Sequence, residues 1–298
     1  MKANKVVVLG GGVLGSQIAY QSAFSGIDTV IYDINDAAID AAQQKLDQFP
    51  DQYAHDLGAT AEQLAETKAR LSLTLDLESA ITGADVIVEA VSERISIKES
   101  LYKSLKPYIG EETLLLTNTS TLLPSQLIGF APNPNRFLAM HFANQIWVHN
   151  VAEIMWAPAT PQTTIDDATD FAKQIKMLPI LIQKETSGYV MNSIFLPMIN
   201  AALFLWADDV ADPQSIDKNW MVSMGVDRGP FGFLDIMGLN TAINIEKGFL
   251  ANTNDERYQR IIDKLQILVD ANQLGVATGQ GFYHYPEPEY QAAAFTQV

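Results

Sequence analysis

The chain has no cysteine among its 298 residues and only four histidines. Without cysteine there are no disulfides and no thiolate metal ligands, a composition that suits a reducing cytoplasm. The histidines, His55, His141, His149 and His284, offer little from which to build an imidazole centre. His141, His149 and Glu153 form the one conceivable set, but no H-E-x-x-H or similar spacing supports it, and no metal is expected. A G-x-S-x-G elbow is also missing, which argues against a serine hydrolase. Basic residues are scarce: 19 Lys and Arg stand against 35 Asp and Glu, for a net charge of −16. Such a surface repels nucleic acid and anionic membranes, so neither is expected as a partner. Long hydrophobic runs are few. The most apolar, Ile194 to Ala207, is short for a bilayer span and contains Pro197 and Asn200, so it reads as a core or interface helix. Met1-Lys2-Ala3-Asn4 leads directly into apolar sequence with no room for a signal peptide, so the expected location is cytoplasmic. There is no internal repeat and no low-complexity segment.

What is present begins at Val6. An apolar strand, Val6 to Leu9, runs into Gly10-Gly11-Gly12-Val13-Leu14-Gly15, then a helical run to Gly26, then a second strand ending at Asp33. Gly10, Gly12 and Gly15 fit the G-x-G-x-x-G dinucleotide fingerprint. The first glycine permits the tight turn, the second keeps side-chain bulk away from a pyrophosphate, and the third lets helix and strand pack closely. Val13 and Leu14 open the helix, whose free N–H groups and positive dipole end suit phosphate. Asp33 lies 18 residues beyond Gly15, where an acid accepts hydrogen bonds from an adenosine ribose and repels a 2′-phosphate. NAD is thereby favoured over NADP. The rival readings are FAD or a glycine turn that holds no ligand.

The alternation continues. Helices are expected over Asp36 to Gln48 and, after a break at Phe49-Pro50, over Thr60 to Arg70. Strands are expected at Leu71 to Leu75, Val86 to Ala90, Thr113 to Thr117 and Arg136 to Phe142, with a helix over Ile95 to Lys106. Strands separated by helices imply parallel βαβ units. Val151 to Trp156 follows Phe142 too closely for a helical crossover, so this strand is expected to run antiparallel to its predecessor if the two are neighbours. A helix over Thr164 to Lys176 then leads to a last strand, Leu178 to Gln183, parallel to the one before it. From Ser187 only helical periodicity remains, over Tyr189 to Val210, Pro213 to Ser223, Leu239 to Leu250 and Glu256 to Ala271. The fold class is therefore α/β. A doubly wound Rossmann-type sheet, parallel with reversed last strands, fills residues 1–185, and an all-α domain fills residues 186–298.

His141 falls near the carboxyl end of its strand, where doubly wound sheets bind ligands. Ser120 lies just past the preceding strand, and Glu153 lies on the strand expected to turn back toward His141. A histidine with a carboxylate behind it and a hydroxyl in front suits alcohol dehydrogenation. The imidazole takes the alcohol proton as hydride leaves carbon, and the carboxylate fixes the tautomer and stabilises the imidazolium. Spacing alone leaves a buried structural histidine as an equal reading.

Several segments in order resemble the L-3-hydroxyacyl-CoA dehydrogenase family over nearly the whole chain. They are Gly10 to Gly15; Glu89-Ala90-Val91-Ser92-Glu93 with Lys98; Asn118-Thr119-Ser120; Arg136 to Asn144; Glu153; Gly188 to Asn192; Gly229-Pro230-Phe231 with Leu234-Asp235; and Thr278 to Tyr283. The resemblance, to 3-hydroxybutyryl-CoA dehydrogenases in particular, implies His141 as catalytic base and Glu153 as its partner. Ser120 and Asn192 would hold the reacting oxygens and the substrate carbonyl. Glu93, Lys98 and Asn144 would line the ribose and nicotinamide end of NAD. It further implies a role in fatty-acid metabolism and a homodimer through the helical domain. Tyr189 to Val210 is the helix assigned to that interface, although a core helix fits the same pattern.

Some residues depart from the family's pattern. Phe142-Ala143-Asn144 is followed by Gln145 where the family has proline. His149 and Asn150 replace a common methionine and lysine, Trp156 replaces a smaller or charged residue, and Ala277 and Gln280 carry no charge. The hairpin after Asp33, which in the family helps hold the CoA nucleotide, carries seven acids between Asp36 and Glu66 against Lys45 alone, with Lys68 and Arg70 just beyond. A CoA phosphate wants charge-assisted donors. A free hydroxy acid such as L-gulonate therefore stays open as substrate, as does carnitine, a cation that Trp147 and Trp156 would suit. His55 reads as a surface residue, His284 as structural, and His149 as either a rim or a substrate-facing residue. Two rival classes are weaker. Dehydrogenases of the 3-hydroxyisobutyrate type need a lysine before Asn192, where Gly188 and Tyr189 stand. A non-catalytic, crystallin-like NAD-binding protein sits poorly with Ser120, His141, Glu153 and Asn192 all being present.

Overall fold

The computed structural model describes residues 1–297. Its first compact unit runs from Met1 to Val190 and its second begins at Met191, a few residues beyond the boundary expected at Glu185. The first unit is built on an eight-stranded sheet. In chain order its elements are β1 (Lys5–Leu9), α1 (Val13–Phe24), β2 (Asp28–Tyr32), α2 (Asp36–Leu46), α3 (Phe49–Leu57), α4 (Ala61–Ala69), β3 (Leu71–Thr74), α5 (Leu77–Ile81), β4 (Val86–Glu89), α6 (Ile95–Leu105), β5 (Leu114–Thr117), α7 (Pro124–Leu127), β6 (Phe137–Phe142), β7 (Val151–Met155), α8 (Gln162–Gln174) and β8 (Leu178–Ile182).

The sheet order is β3-β2-β1-β4-β5-β6-β7-β8. All neighbours are parallel except β6 and β7, which pair antiparallel with His141 directly opposite Glu153. The reversal expected from the short Phe142–Val151 connection is thus present, and β8 returns parallel to β7. The central strands read as unbroken apolar runs because both faces are covered. Val6 and Val8 of β1 face a core with Ile18 and Ala19 of α1 and Phe171 of α8. Val7 and Leu9 face the opposite core with Tyr102 and Leu105 of α6.

The expected break at Phe49-Pro50 is instead the start of α3. Pro50 stands in the first turn, where its missing N–H breaks no helical bond. Tyr53 on this helix is fully buried against Tyr20, Phe24 and Trp147.

The second unit is helical: α9 (Tyr189–Ala207, beginning in the first unit), α10 (Pro213–Met224), α11 (Pro230–Met237), α12 (Leu239–Thr253) and α13 (Glu256–Asp270). Its core joins Leu203, Phe231, Leu234, Leu239, Ile261 and Leu265. Helix α11 escapes the periodicity reading because it opens Pro-Phe-Gly. Its N-terminus is held by Asp217 of α10, which accepts the N–H groups of Phe231 and Gly232 at 3.0 Å each. A carboxylate there also meets the positive end of the helix dipole. Helix α9 contains Pro197 and is longer than the apolar run that marks it. At 19 residues it satisfies the length and composition of a membrane-crossing helix, which corrects the reading of this run as too short. About 28% of its apolar window is buried, and Ile194 is 67% exposed.

Candidate active site

At the first and third fingerprint glycines, contacts in the turn admit no side chain. Gly10 has φ +100°, and a Cβ there would stand 2.9 Å from the Ala90 carbonyl oxygen. A Cβ on Gly15 would stand 1.8 Å from the Gly10 oxygen, so the α1–β1 approach requires glycine. Above Gly12 nothing lies within 4 Å, which is the open backbone a pyrophosphate needs. Helix α1 carries no side-chain cap at Gly12, so its first-turn N–H groups are available to an anion. Val13 is exposed and Leu14 half-buried at this end. Asp33 turns its carboxylate back to the turn, with Oδ2 accepting the Gly11 N–H at 2.8 Å and Oδ1 that of Ile34 at 2.8 Å. These residues fit a dinucleotide, with an acid placed for ribose hydroxyls.

At the carboxyl ends of β4 to β6 a second constellation gathers. Antiparallel pairing brings the His141 and Glu153 side chains to one face, and His141 Nδ1 lies 3.0 Å from Glu153 Oε2. The other ring nitrogen, Nε2, lies 3.2 Å from Ser120 Oγ. His141 is 8% and Glu153 4% exposed, so the pair is largely withdrawn from water. The second oxygen, Glu153 Oε1, accepts the Val190 N–H at 2.9 Å. The Tyr189 ring stacks on the imidazole at 4.5 Å and 19°. Burial, with the charges of Glu93 and Glu153, raises the Tyr189 phenol above its usual range and keeps it protonated. Tyr189 holds φ +57° beside Gly188 at +82°, a bend that turns the chain onto the histidine. Neither the stack nor the Val190 contact is foreseen by the sequence reading; Gly188 is the one local sign of such a bend.

The Ser120 loop is held from below. Glu93 Oε1 accepts from the Thr119 hydroxyl, from the N–H groups of Ser120 and Thr121 at 2.9 Å each, and from the Thr121 hydroxyl at 3.0 Å. Burial pushes the Glu93 carboxyl up, but these donors and the Lys98 ammonium outweigh it and hold it below its ordinary value. Lys98 is 1% exposed, with Nζ 2.7 Å from Glu89 and 3.4 Å from Glu93. Lys98 therefore sits against Glu93, the other charged residue expected at the ribose and nicotinamide end. Asn144 is exposed, and its carbonyl is 2.9 Å from His149 Nδ1. The next residue, Gln145, takes φ +58°, and the Gln17 side-chain oxygen accepts the N–H groups of Gln145 and Ile146. Asn192 is half-buried on α9, within the second unit.

The other expectations resolve differently. Trp147 is 7% exposed and donates Nε1–H to Asp56 at 2.8 Å, with its ring among Phe49 and Tyr53. Trp156 packs against the same core. The Trp147 face is committed to packing, while Trp156 stays half-buried. His55 is exposed beside Asp56, and His284 is exposed beside Glu289. Of the hairpin cations, Arg70 pairs with Asp28 at 3.1 Å and Lys45 donates to the Ala41 carbonyl.

An open glycine turn, an acid at the end of β2 and an imidazole backed by carboxylate belong to NAD-linked oxidoreductases, in which alcohol proton and hydride part together. Comparison with known proteins narrows this class. Residues 5–186 match the NAD binding domain of 3-hydroxyacyl-CoA dehydrogenase, and residues 188–285 match its C-terminal domain. The chain belongs to the 3-hydroxyacyl-CoA dehydrogenase family, and it is an oxidoreductase that uses NAD. A probable 3-hydroxybutyryl-CoA dehydrogenase of Bacillus subtilis is 31% identical, with 96% of this chain and 99% of that protein covered. The 3-hydroxybutyryl-CoA dehydrogenase of Clostridioides difficile is 30% identical, over 94% and 99%. Among solved structures, a diketoreductase acting on dicarbonyl compounds is 39% identical with TM-score 0.89, over 96% of this chain and all of that one.

Proposed function

We propose that the chain transfers hydride between NAD and carbon 3 of a short 3-hydroxyacyl-CoA or 3-oxoacyl-CoA, of the 3-hydroxybutyryl type. The observation that carries this reading is the line from Ser120 Oγ through the two ring nitrogens of His141 to Glu153. In oxidation, the His141 Nε2 accepts the hydroxyl proton. Glu153 holds the Nδ1–H, which fixes the tautomer and stabilises the imidazolium. NAD accepts the hydride when bound. In reduction the same imidazolium returns its proton to the carbonyl oxygen, with Ser120 as a second donor. Asn192 orients the thioester carbonyl, and Glu93 and Asn144 face the ribose and nicotinamide end. A homodimer through the exposed apolar side of α9 and a cytoplasmic location complete the reading.

The acidic hairpin and the Arg70–Asp28 pair favour a second reading, an uncoupled 3-oxo substrate, and the 39% identity with a diketoreductase points the same way. The test is NADH oxidation with acetoacetyl-CoA beside free acetoacetate and other uncoupled dicarbonyl compounds. A saturable rate with the thioester alone is expected. Turnover of the free dicarbonyl compounds alone assigns the second reading. Tight NADH binding with no turnover of any of them contradicts both.

A further inference from the structure

Glu89 is a charged side chain at the end of an otherwise apolar, fully buried strand. Four donors converge on it. Lys98 Nζ and the Tyr102 hydroxyl donate at 2.7 Å, the Thr117 hydroxyl at 2.8 Å and the Val91 N–H at 3.0 Å. Nothing in the reaction above uses it. A buried carboxylate persists only if it is compensated, and here the compensation is complete: one oxygen takes the ammonium and the Val91 N–H, the other takes two hydroxyls.

The arrangement also reaches the active site. Lys98 lies between two carboxylates, Glu89 below and Glu93 above. Glu93 in turn accepts four hydrogen bonds from the loop Thr119-Ser120-Thr121. Ser120 within that loop faces His141 Nε2. The series therefore runs Glu89, Lys98, Glu93, Ser120, His141, with charges alternating over its first three members.

We propose that Glu89 is a positioning residue for the reaction: it fixes the Lys98 ammonium beneath Glu93, so that Glu93 clamps the loop carrying the Ser120 hydroxyl against His141. The inference rests on the reading of Ser120 and His141 as reacting groups. Without the Glu89 charge, Lys98 keeps a single anionic partner and loses its 2.7 Å anchor on β4. The ammonium then follows Glu93 toward solvent, and the loop loses its register. Misplacement of a reacting group by about 1 Å costs up to about 10²-fold in rate. Because the loop acts on the reacting oxygen rather than on substrate affinity, the loss falls on kcat.

The test is a double-mutant cycle on the intact protein, with turnover normalised to NADH-titrated sites. Glu89→Gln is expected to lower kcat about tenfold with the KM of the 3-oxo substrate changed by less than about threefold. Ser120→Ala is expected to lower kcat by a similar factor. The double variant should be no slower than Ser120→Ala alone, since Glu89 acts through that hydroxyl. A wild-type kcat for Glu89→Gln, or losses that multiply in the double variant, would overturn the proposal. If Glu89→Gln fails to fold, Tyr102→Phe removes one of the four donors. It should lower kcat about threefold with the same non-additivity, and an unchanged kcat is again contradictory. Failure of the underlying reading looks different: Ser120→Ala or His141→Gln then turns over at the wild-type rate whatever Glu89 does.

Discussion

The two units bury carboxylates in opposite ways. In the first, Glu89 faces the Lys98 ammonium and Glu153 faces the His141 imidazole. In the second, the buried acids Asp235 and Glu246 have no cationic partner among the described residues. Asp235 accepts the N–H groups of Phe282 and Tyr283 at 2.9 Å each and the Tyr285 hydroxyl at 3.2 Å. Burial still prevails over those donors and pushes its carboxyl up to about 6. Glu246 is 1% exposed, and its Oε2 has no hydrogen-bond partner among the described residues. Burial alone pushes it up to about 7. The contrast separates two uses of an acid. The first unit sets an ammonium or an imidazole against its buried carboxylates. In the second, a carboxyl meets neutral donors or, at Glu246 Oε2, none among the described residues, and burial raises it.

The largest effect belongs to the first unit. Glu153→Gln preserves shape but removes the negative charge behind His141, and kcat should fall about 10²-fold or more. NADH affinity, read by fluorescence titration, should stay within about twofold, with little change in melting temperature. A smaller effect is expected in the second unit. Asp235→Asn turns an amide NH₂ toward N–H donors, so stability at pH 8, where the carboxylate is ionised, should fall by about 2 kcal/mol in urea unfolding, without loss of kcat per folded molecule. Next comes pH. A carboxyl raised in the folded state contributes stability that is present below its unfolded value near 4. That contribution is lost as pH rises through the folded value. Wild-type stability should decline between about pH 4 and pH 7, by about 3 kcal/mol from Glu246 alone. Finally, Glu246→Leu removes that dependence. Its melting temperature should exceed the wild type's at pH 8, and the margin should shrink toward pH 5. An equal margin at both values means the Glu246 charge is not what burial opposes.

Much of this arrangement is legible in the chain. The glycine turn and Asp33 are local, so spacing suffices to find them. The reversal of β7 follows from a connection too short for a crossover, and that reversal is what sets Glu153 opposite His141. Other parts depend on tertiary approach. Pro50 reads as a break because its place in a first turn is visible only once α3 packs Tyr53 into the core. Trp147 reads as an available aromatic face because its partner, Asp56, lies on a helix that periodicity did not reveal. Tyr189 reaches His141 through two successive positive φ angles, which no hydrophobic pattern encodes. Glu89 carries a sign that went unused: a lone acid within a buried strand implies a hidden cation, and Lys98 is that cation.

The account turns on His141, and the most direct measurement pairs single-turnover NADH oxidation with NADH binding in His141→Gln. With a saturating 3-oxo substrate, the account predicts hydride transfer slowed by about 10²–10⁴ while the NADH dissociation constant stays within about twofold of wild type. Hydride transfer at the wild-type rate, or loss of NADH binding in its place, would contradict the assignment of His141 as the base.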